Sequence, residues 1–188
     1  QLKGLLKELE NDGSLVLSRK NRYGRPAQFN LLLGRISRHP KGFGFLVQDD
    51  PEVEDIFIPA SELNGAMNGD RVIVRMKREA TAKSRAEGEV IRILQRKVQQ
   101  VVGTFESSRH FGFVIPDDKR FGSDIFIPKE QFNGARHNMK VLVEITQWPE
   151  KNRSAEGKVV QVIGKKDAPG VDILSIIMGH DLPQAFSA

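Results

Sequence analysis

Lys41-Gly42-Phe43-Gly44-Phe45 is followed by Asp55-Ile56-Phe57-Ile58-Pro59, and the pattern recurs as His110-Phe111-Gly112-Phe113 followed by Asp124-Ile125-Phe126-Ile127-Pro128. Two further blocks repeat behind these. Asn64-Gly65-Ala66 returns as Asn133-Gly134-Ala135, and Ala86-Glu87-Gly88 returns as Ala155-Glu156-Gly157. The offset is 69 residues for three of the blocks (Asp55 to Asp124) and 68 for the Phe-Gly-Phe block (Phe43 to Phe111). One small unit has been duplicated. Side chains alternate along a strand, so Phe43 and Phe45 share one face while Leu46 takes the other. In Ile56-Phe57-Ile58 the isoleucines supply the core side and Phe57 faces out. Phe43, Phe45 and Phe57 therefore meet on one surface, as do Phe111, Phe113 and Phe126. The alternative, phenylalanines in the core, is disfavoured because the isoleucines already fill the inward face and both copies keep the pattern. Aromatic rings on an exposed sheet are stacking platforms for nucleic-acid bases.

The spacing predicts five short strands per copy. In the first they are 34–37, 42–47, 55–59, 70–77 and 87–94. In the second they are 101–106, 112–115, 124–128, 140–146 and 156–163. Gly, Asp and Asn punctuate them, the pattern of a small OB-type barrel. Residues 60–69 and 129–138 should form a helical turn plugging one barrel end. Around these lie other elements. Leu2, Leu5, Leu6 and Leu9 fall at helical spacing, and Asn11-Asp12-Gly13 stops the helix. Strands at Leu15–Leu17 and Phe29–Leu32 are expected next, joined through the basic turn Arg19 to Arg25. A helix with a basic-tipped hairpin is the back half of a winged helix. Thirty-three residues alone are too few for a sufficient core, so this segment should lean on its neighbour or be loosely ordered. The domain reading is thus a partial winged helix over 1–33, barrels over 34–99 and 100–163, and a linker with the start of another domain over 164–188. Val171 to Met178 reads as a short helix, apolar on most sides.

The chain has 188 residues, no cysteine and a net charge of +5. Disulfides, zinc-thiolate sites and thiol nucleophiles are excluded. The longest apolar run near the N-terminus, Leu31-Leu32-Leu33, is too short for a signal or a membrane span, so a cytoplasmic location without membrane contact is expected. Charge is segregated. Between Arg71 and Lys97 stand nine Lys/Arg against three Glu. Such a run offers phosphate contacts, with Arg71, Arg75, Lys77, Lys83 and Arg85 as candidates. Lys41 and His110, just before each Phe-Gly-Phe, are placed to touch phosphate or stack. Arg19, Lys20, Arg22 and Arg25 on the winged-helix hairpin are candidates for duplex contact. His39, His110, His137 and His180 lack metal-ligand spacing. Asp49-Asp50 and Asp117-Asp118 read as solvated turn residues. No phosphate-binding loop or nucleophile elbow occurs. No catalytic residue, metal ligand, cofactor or small-molecule substrate is expected in this chain.

Lys-Gly-Phe-Gly-Phe followed by Asp-Ile-Phe-Ile resembles the two RNA-binding motifs of cold-shock domains. Two such domains after a winged-helix remnant resemble the N-terminal part of the ribonuclease R family, in the ribonuclease II superfamily. The tail, Pro169 to Ile173 through His180, Leu182-Pro183 and Phe186, is similar to the entry into that family's catalytic domain. The resemblance implies a 3′–5′ exoribonuclease whose barrels capture single-stranded RNA, and also structured RNA, and guide a 3′ end inward. It also implies that the Mg²⁺-holding aspartates lie in a domain after residue 188. Two departures reduce each platform. Pro59 and Pro128 stand where single cold-shock proteins carry His, and their first-strand Trp is missing, Trp148 being the only one. Each barrel should then bind weakly, and two linked weak sites hold one strand through effective concentration. A freestanding tandem cold-shock RNA chaperone is the alternative, and a self-contained nuclease a third reading.

Overall fold

The computed structural model describes residues 1–150 and 153–179. The chain divides into two units, Gln1–Val98 and Gln99–Ala188. The first opens with helix α1 (Leu2–Asn11) and a minimal hairpin of β1 (Val16–Leu17) and β2 (Tyr23–Gly24). Its barrel follows: β3 (Leu31–Arg38), β4 (Gly44–Val47), β5 (Ile56–Ile58), β6 (Arg71–Arg78) and β7 (Glu87–Gln95). The second barrel comprises β8 (Gln100–Ser107), β9 (Phe111–Pro116), β10 (Ile125–Pro128), β11 (Met139–Gln147) and β12 (Ala155–Lys165). Helix α2 (Val171–Gly179) comes last.

Both barrels are closed with the same strand order. In the first, β3 pairs with β4, β4 with β5, β5 with β7 in parallel, β7 with β6, and β6 back with β3. The second repeats this circuit through β8, β9, β10, β12 and β11. Closure leaves no free sheet edge. The interior of the first is Ile36, Leu46, Ile56, Ile58, Val72, Val74 and Val90, with Leu63 and Ala66 from the connection after β5. The second buries Phe105, Val114, Ile125, Ile127, Val141, Val143 and Val159 in the same way.

The repeated short motifs have structural reasons. After β5 and β10 the chain makes a single 3-10 turn (Ala60–Glu62, Lys129–Gln131), then reaches Asn64 and Asn133 in the left-handed region at φ 47° and 45°. Each asparagine donates its side-chain N–H to a carbonyl of the last barrel strand, Val90 at 2.7 Å and Val159 at 2.5 Å. Ala66 and Ala135 then drop into the barrel end, which is the expected plug. Gly88 and Gly157 of the Ala-Glu-Gly blocks face Val74 and Val143, where an added Cβ would stand 2.5 Å from a valine methyl. Larger residues there would hold the closing strands apart.

The offset of 68 also resolves. The β3–β4 turn closes with His39 N–H on the Phe43 carbonyl around Pro40-Lys41-Gly42, with Gly42 at φ +100°. The β8–β9 turn closes with Ser108 N–H on the Phe111 carbonyl around only Arg109-His110. The second copy has one residue fewer here and regains it before Ile125.

The N-terminal hairpin departs from expectation. The strand facing Val16–Leu17 is Tyr23–Gly24, not Phe29–Leu32. Pro26 opens a 3-10 turn over Pro26–Phe29, and Leu31 already pairs with Arg75 of β6. The basic connection is therefore short, with Asn21 at φ 54° making the reversal. This segment leans on the first barrel. Gly13 is buried against Leu33 and Leu94, and Arg92 reaches Glu10 at 3.2 Å. Helix α2 uses one side only: Val171 and Ser175 are buried while Ile173, Leu174, Ile176 and Ile177 are exposed. The tail residues His180, Leu182, Pro183 and Phe186 lie outside the described residues.

One polar group locks the first barrel. Asp70 is fully buried and accepts from Arg96 at 2.8 Å, Met67 N–H at 2.9 Å and Lys97 N–H at 3.0 Å. Arg96 also donates to the Gly65 carbonyl at 2.8 Å, tying the plug to the end of β7. Removing one member of a buried pair strands the other. Asp70→Ala should lose about 3 kcal/mol in chemical denaturation. Glu144→Ala, which breaks the solvent-facing pair with Lys158, should lose less than about 1 kcal/mol. Equal losses would remove Asp70 from this role.

Candidate nucleic-acid interface

The aromatic faces form by cross-strand pairing. Phe45 on β4 lies opposite Phe57 on β5, and their ring centroids are 5.8 Å apart, edge to face. Phe43, two residues before Phe45, closes the triangle at 5.8 Å to Phe45 and 5.6 Å to Phe57. All three are half-buried, because each covers its neighbours' edges while its outer surface stays wet. The second barrel repeats this. Phe113 lies opposite Phe126, and the three centroid distances are 5.4, 5.9 and 5.8 Å. Phe111 is the most open of these rings, at 37% exposure. Phe121 is buried, and Phe132 packs edge-on against the buried Phe105 at 4.8 Å.

One ring escaped sequence reasoning. His39 lies flat on Phe43, with centroids 4.5 Å apart and planes within 5°. The three-residue turn positions it: His39 pairs with Phe43 across the hairpin, and its Nδ1 accepts the Lys41 N–H at 3.1 Å. The second barrel has Ser108 at this place. The first face is thus four rings and the second three. The pairing position opposite the first phenylalanine was the available signal. It became visible only with the turn length. Lys41 and His110 stand exposed on their hairpin tips.

The fold partly neutralises the basic run. Arg71 pairs with Asp49 at 3.2 Å, Arg75 with Glu89 at 2.9 Å, Lys77 with Glu62 at 2.9 Å and with Glu89 at 3.6 Å, and Arg78 with Glu87 at 3.5 Å. Lys83 and Arg85, exposed at the β6–β7 hairpin, make no ion pair among the described residues. The positive face is smaller than the sequence count because β6 and β7 are antiparallel neighbours and set Glu87 and Glu89 beside the cations of β6. Arg19, Lys20, Arg22 and Arg25 do cluster, all exposed around the β1–β2 turn, with no ion pair among the described residues.

A carboxylate borders each aromatic face. Glu87 lies beside Phe57, and Glu156 beside Phe126, across the parallel pairing that closes each barrel. In the second barrel a groove runs from Phe113 and Phe126 to Gln147, Arg153, Ser154 and Glu156. Among the described residues no group of three or more His, Cys, Asp or Glu is placed to hold a metal ion. No described helix is long and apolar enough to cross a membrane.

Comparison with known proteins matches this architecture. Residues 34–93 fit the family model "Ribonuclease B OB domain" and residues 113–187 the family model "Cold shock domain". A ribonuclease R of Thermotoga maritima is 35% identical over 185 residues, covering 98% of this chain and 25% of the relative. Ribonuclease R of Escherichia coli is 34% identical over 186 residues, covering 97% of this chain and 23% of the relative. Among solved structures, RNase R of Mycoplasma genitalium, both apo and in complex with ribose methylated single-stranded RNA, superposes with a TM-score of 0.70 at 24% identity. The match covers 79% of this chain and 24% of that one, and shows the shared fold.

The Lys77 pair has a titration signature. The hydrogen bond to the Glu62 carboxylate, helped by Glu89, holds the Lys77 ammonium above the ordinary lysine value. The folded value is the higher one. The pair is therefore intact through neutral pH and is lost as pH rises through that raised value. Glu62→Gln should bring the Lys77 midpoint down, read by NMR of its side-chain carbon. An unmoved midpoint would dissociate Lys77 from Glu62 in solution and leave Glu89 as its partner.

Proposed function

We propose that this chain, which belongs to the ribonuclease R family and spans about a quarter of the length of the Thermotoga and Escherichia relatives, is an RNA-capturing region of a 3′–5′ exoribonuclease. One observation carries the reading. Each barrel holds three phenylalanine rings outward on adjacent strands, with centroids within 5.9 Å of one another. Rings so placed offer flat apolar surface to unpaired bases, and stacking of this kind is worth about 1–3 kcal/mol per base and tolerates any sequence. Phe43, Phe45 and Phe57 take bases on the first barrel, with His39 extending the platform. Phe111, Phe113 and Phe126 take them on the second. Lys41, Lys83, Arg85 and His110 are the exposed donors for phosphate. Arg71, Arg75 and Lys77 must first loosen their carboxylate partners, an exchange that surface pairs permit at little cost. The RNA-bound relative of the same fold supports single-stranded RNA as the ligand. The cations at Arg19, Lys20, Arg22 and Arg25 suit structured RNA.

The hydrolytic step, with the Mg²⁺ that two-metal phosphodiester cleavage uses, is assigned to a part of such an enzyme outside these 188 residues. The barrels' contribution is capture and guidance of a 3′ end, in the cytoplasm. Neither barrel acts on a small molecule in this reading.

Binding of a labelled single-stranded oligoribonucleotide tests the proposal. Replacing Phe43, Phe45 and Phe57 together by alanine should weaken binding at least about tenfold, the cost of losing one or more stacked bases. The corresponding second-barrel triple should cost less, since its platform lacks the fourth ring. Unchanged affinity in a first-barrel variant with native circular dichroism would sink the stacking reading. With Mg²⁺ present, the 188-residue chain should leave the RNA intact. Turnover abolished by EDTA would place a nuclease centre within it.

A further inference from the structure

The second barrel carries a basic groove away from its phenylalanines. It is an open depression of about 420 Å³ between Arg136, His137 and Asn138 on one side and Lys165, Lys166 and Asp167 on the other. In sequence these cations lie apart: Arg136 sits in a plug turn, while Lys165 and Lys166 fall in the expected linker, at the end of β12. The fold joins them. Met139 at the start of β11 pairs with Lys165 at the end of β12, and Lys166 donates its N–H to the Asn138 carbonyl at 3.0 Å. Asn138 occupies the left-handed region at φ 63°, and its own N–H is held by the Phe105 carbonyl at 2.9 Å, so the rim is fixed by backbone bonds on both sides.

Charge then decides what the groove suits. Arg136, Lys165 and Lys166 are exposed and make no ion pair among the described residues, which contrasts with the paired cations of β6. Asp167 is the one acid lining the groove. The His137 Nδ1 accepts the Ser107 N–H at 3.3 Å, which puts the proton of the neutral ring on Nε2 as a further donor. Three cations and an N–H donor around a rigid polar rim match the oxygens of a phosphodiester chain.

The location supplies the source of that chain. Phe105 on β8 pairs with Met139 on one side and with Val114 of β9 on the other. One strand, β8, therefore separates the groove's strand from the strand bearing Phe111 and Phe113. Neighbouring strands lie about 4.8 Å apart, so an RNA strand leaving the aromatic face needs only a few nucleotides to reach round the barrel to the groove. We infer that the groove of Arg136, His137, Lys165 and Lys166 is a second RNA site that holds the phosphate backbone of the strand whose bases stack on Phe111, Phe113 and Phe126.

This inference rests on the RNA-binding reading above. The salt dependence of RNA binding by the full chain tests it. Each phosphate contact to a single strand adds about 0.7 to the slope of log affinity against log salt, so Arg136→Ala/Lys165→Ala/Lys166→Ala should lower that slope by about 2 on a dodecamer. The same variant should bind a tetramer, which is too short to span both sites, as the wild type does. Lys3→Ala/Lys7→Ala, which removes charge from α1, should leave both slopes unchanged. An unchanged dodecamer slope in the triple variant overturns the groove alone, as does an equal effect on the tetramer. A charge-matched oligoglutamate that competes as well as RNA would make the groove a protein-binding surface and overturn the assignment. Wild-type chain that binds no RNA defeats both readings together.

Discussion

Two isoleucines cannot point inward from one short strand without sending the phenylalanine between them outward. This alternation on β5 and β10 is the constraint from which the rest follows. Ile56 and Ile58 are fully or almost fully buried, as are Ile125 and Ile127, and each strand is clamped between an antiparallel and a parallel neighbour. Rotating Phe57 or Phe126 inward would expose two aliphatic side chains, at a cost of about 1.5–3 kcal/mol each. The outward aromatic face is therefore a by-product of the core, held by the same burial that closes the barrel.

The two copies share this frame and differ at its margins. A turn with one more residue gives the first barrel a flat histidine on Phe43 and a left-handed Gly42. The shorter turn in the second puts a serine there and leaves Phe111 more open. Asp70 ties the first plug with a buried carboxylate network, whereas Met139 stands at the matching place in the second barrel, 69 residues on. The cations also divide differently. The first barrel's are numerous and largely paired. Of the second's, Arg136, Lys165 and Lys166 make no ion pair among the described residues and gather into one groove.

Much of this was legible beforehand. The ten barrel strands, the outward phenylalanines and the plugs follow from period-two alternation and from Asn-Gly turns, which act over a few residues. The short N-terminal hairpin was misplaced because Phe29 to Leu32 is apolar enough for a strand in either unit. Only the pairing of Leu31 with Arg75 assigns its last residues to the barrel. His39 was passed over as one of several scattered histidines, since stacking on Phe43 depends on turn length, not on spacing along the chain.

Local chemistry in the chain thus determined the duplicated barrels, the side of the sheet each phenylalanine takes and the family the motifs resemble. Tertiary structure alone decided which charges are available. Ion pairs form between strands that are neighbours in space, so a run of nine cations between Arg71 and Lys97 became mostly compensated. For the same reason Arg136, far in sequence from Lys165 and Lys166, joined them in a groove. Alternation is written residue by residue, whereas charge compensation depends on which strands lie side by side once the barrel has closed.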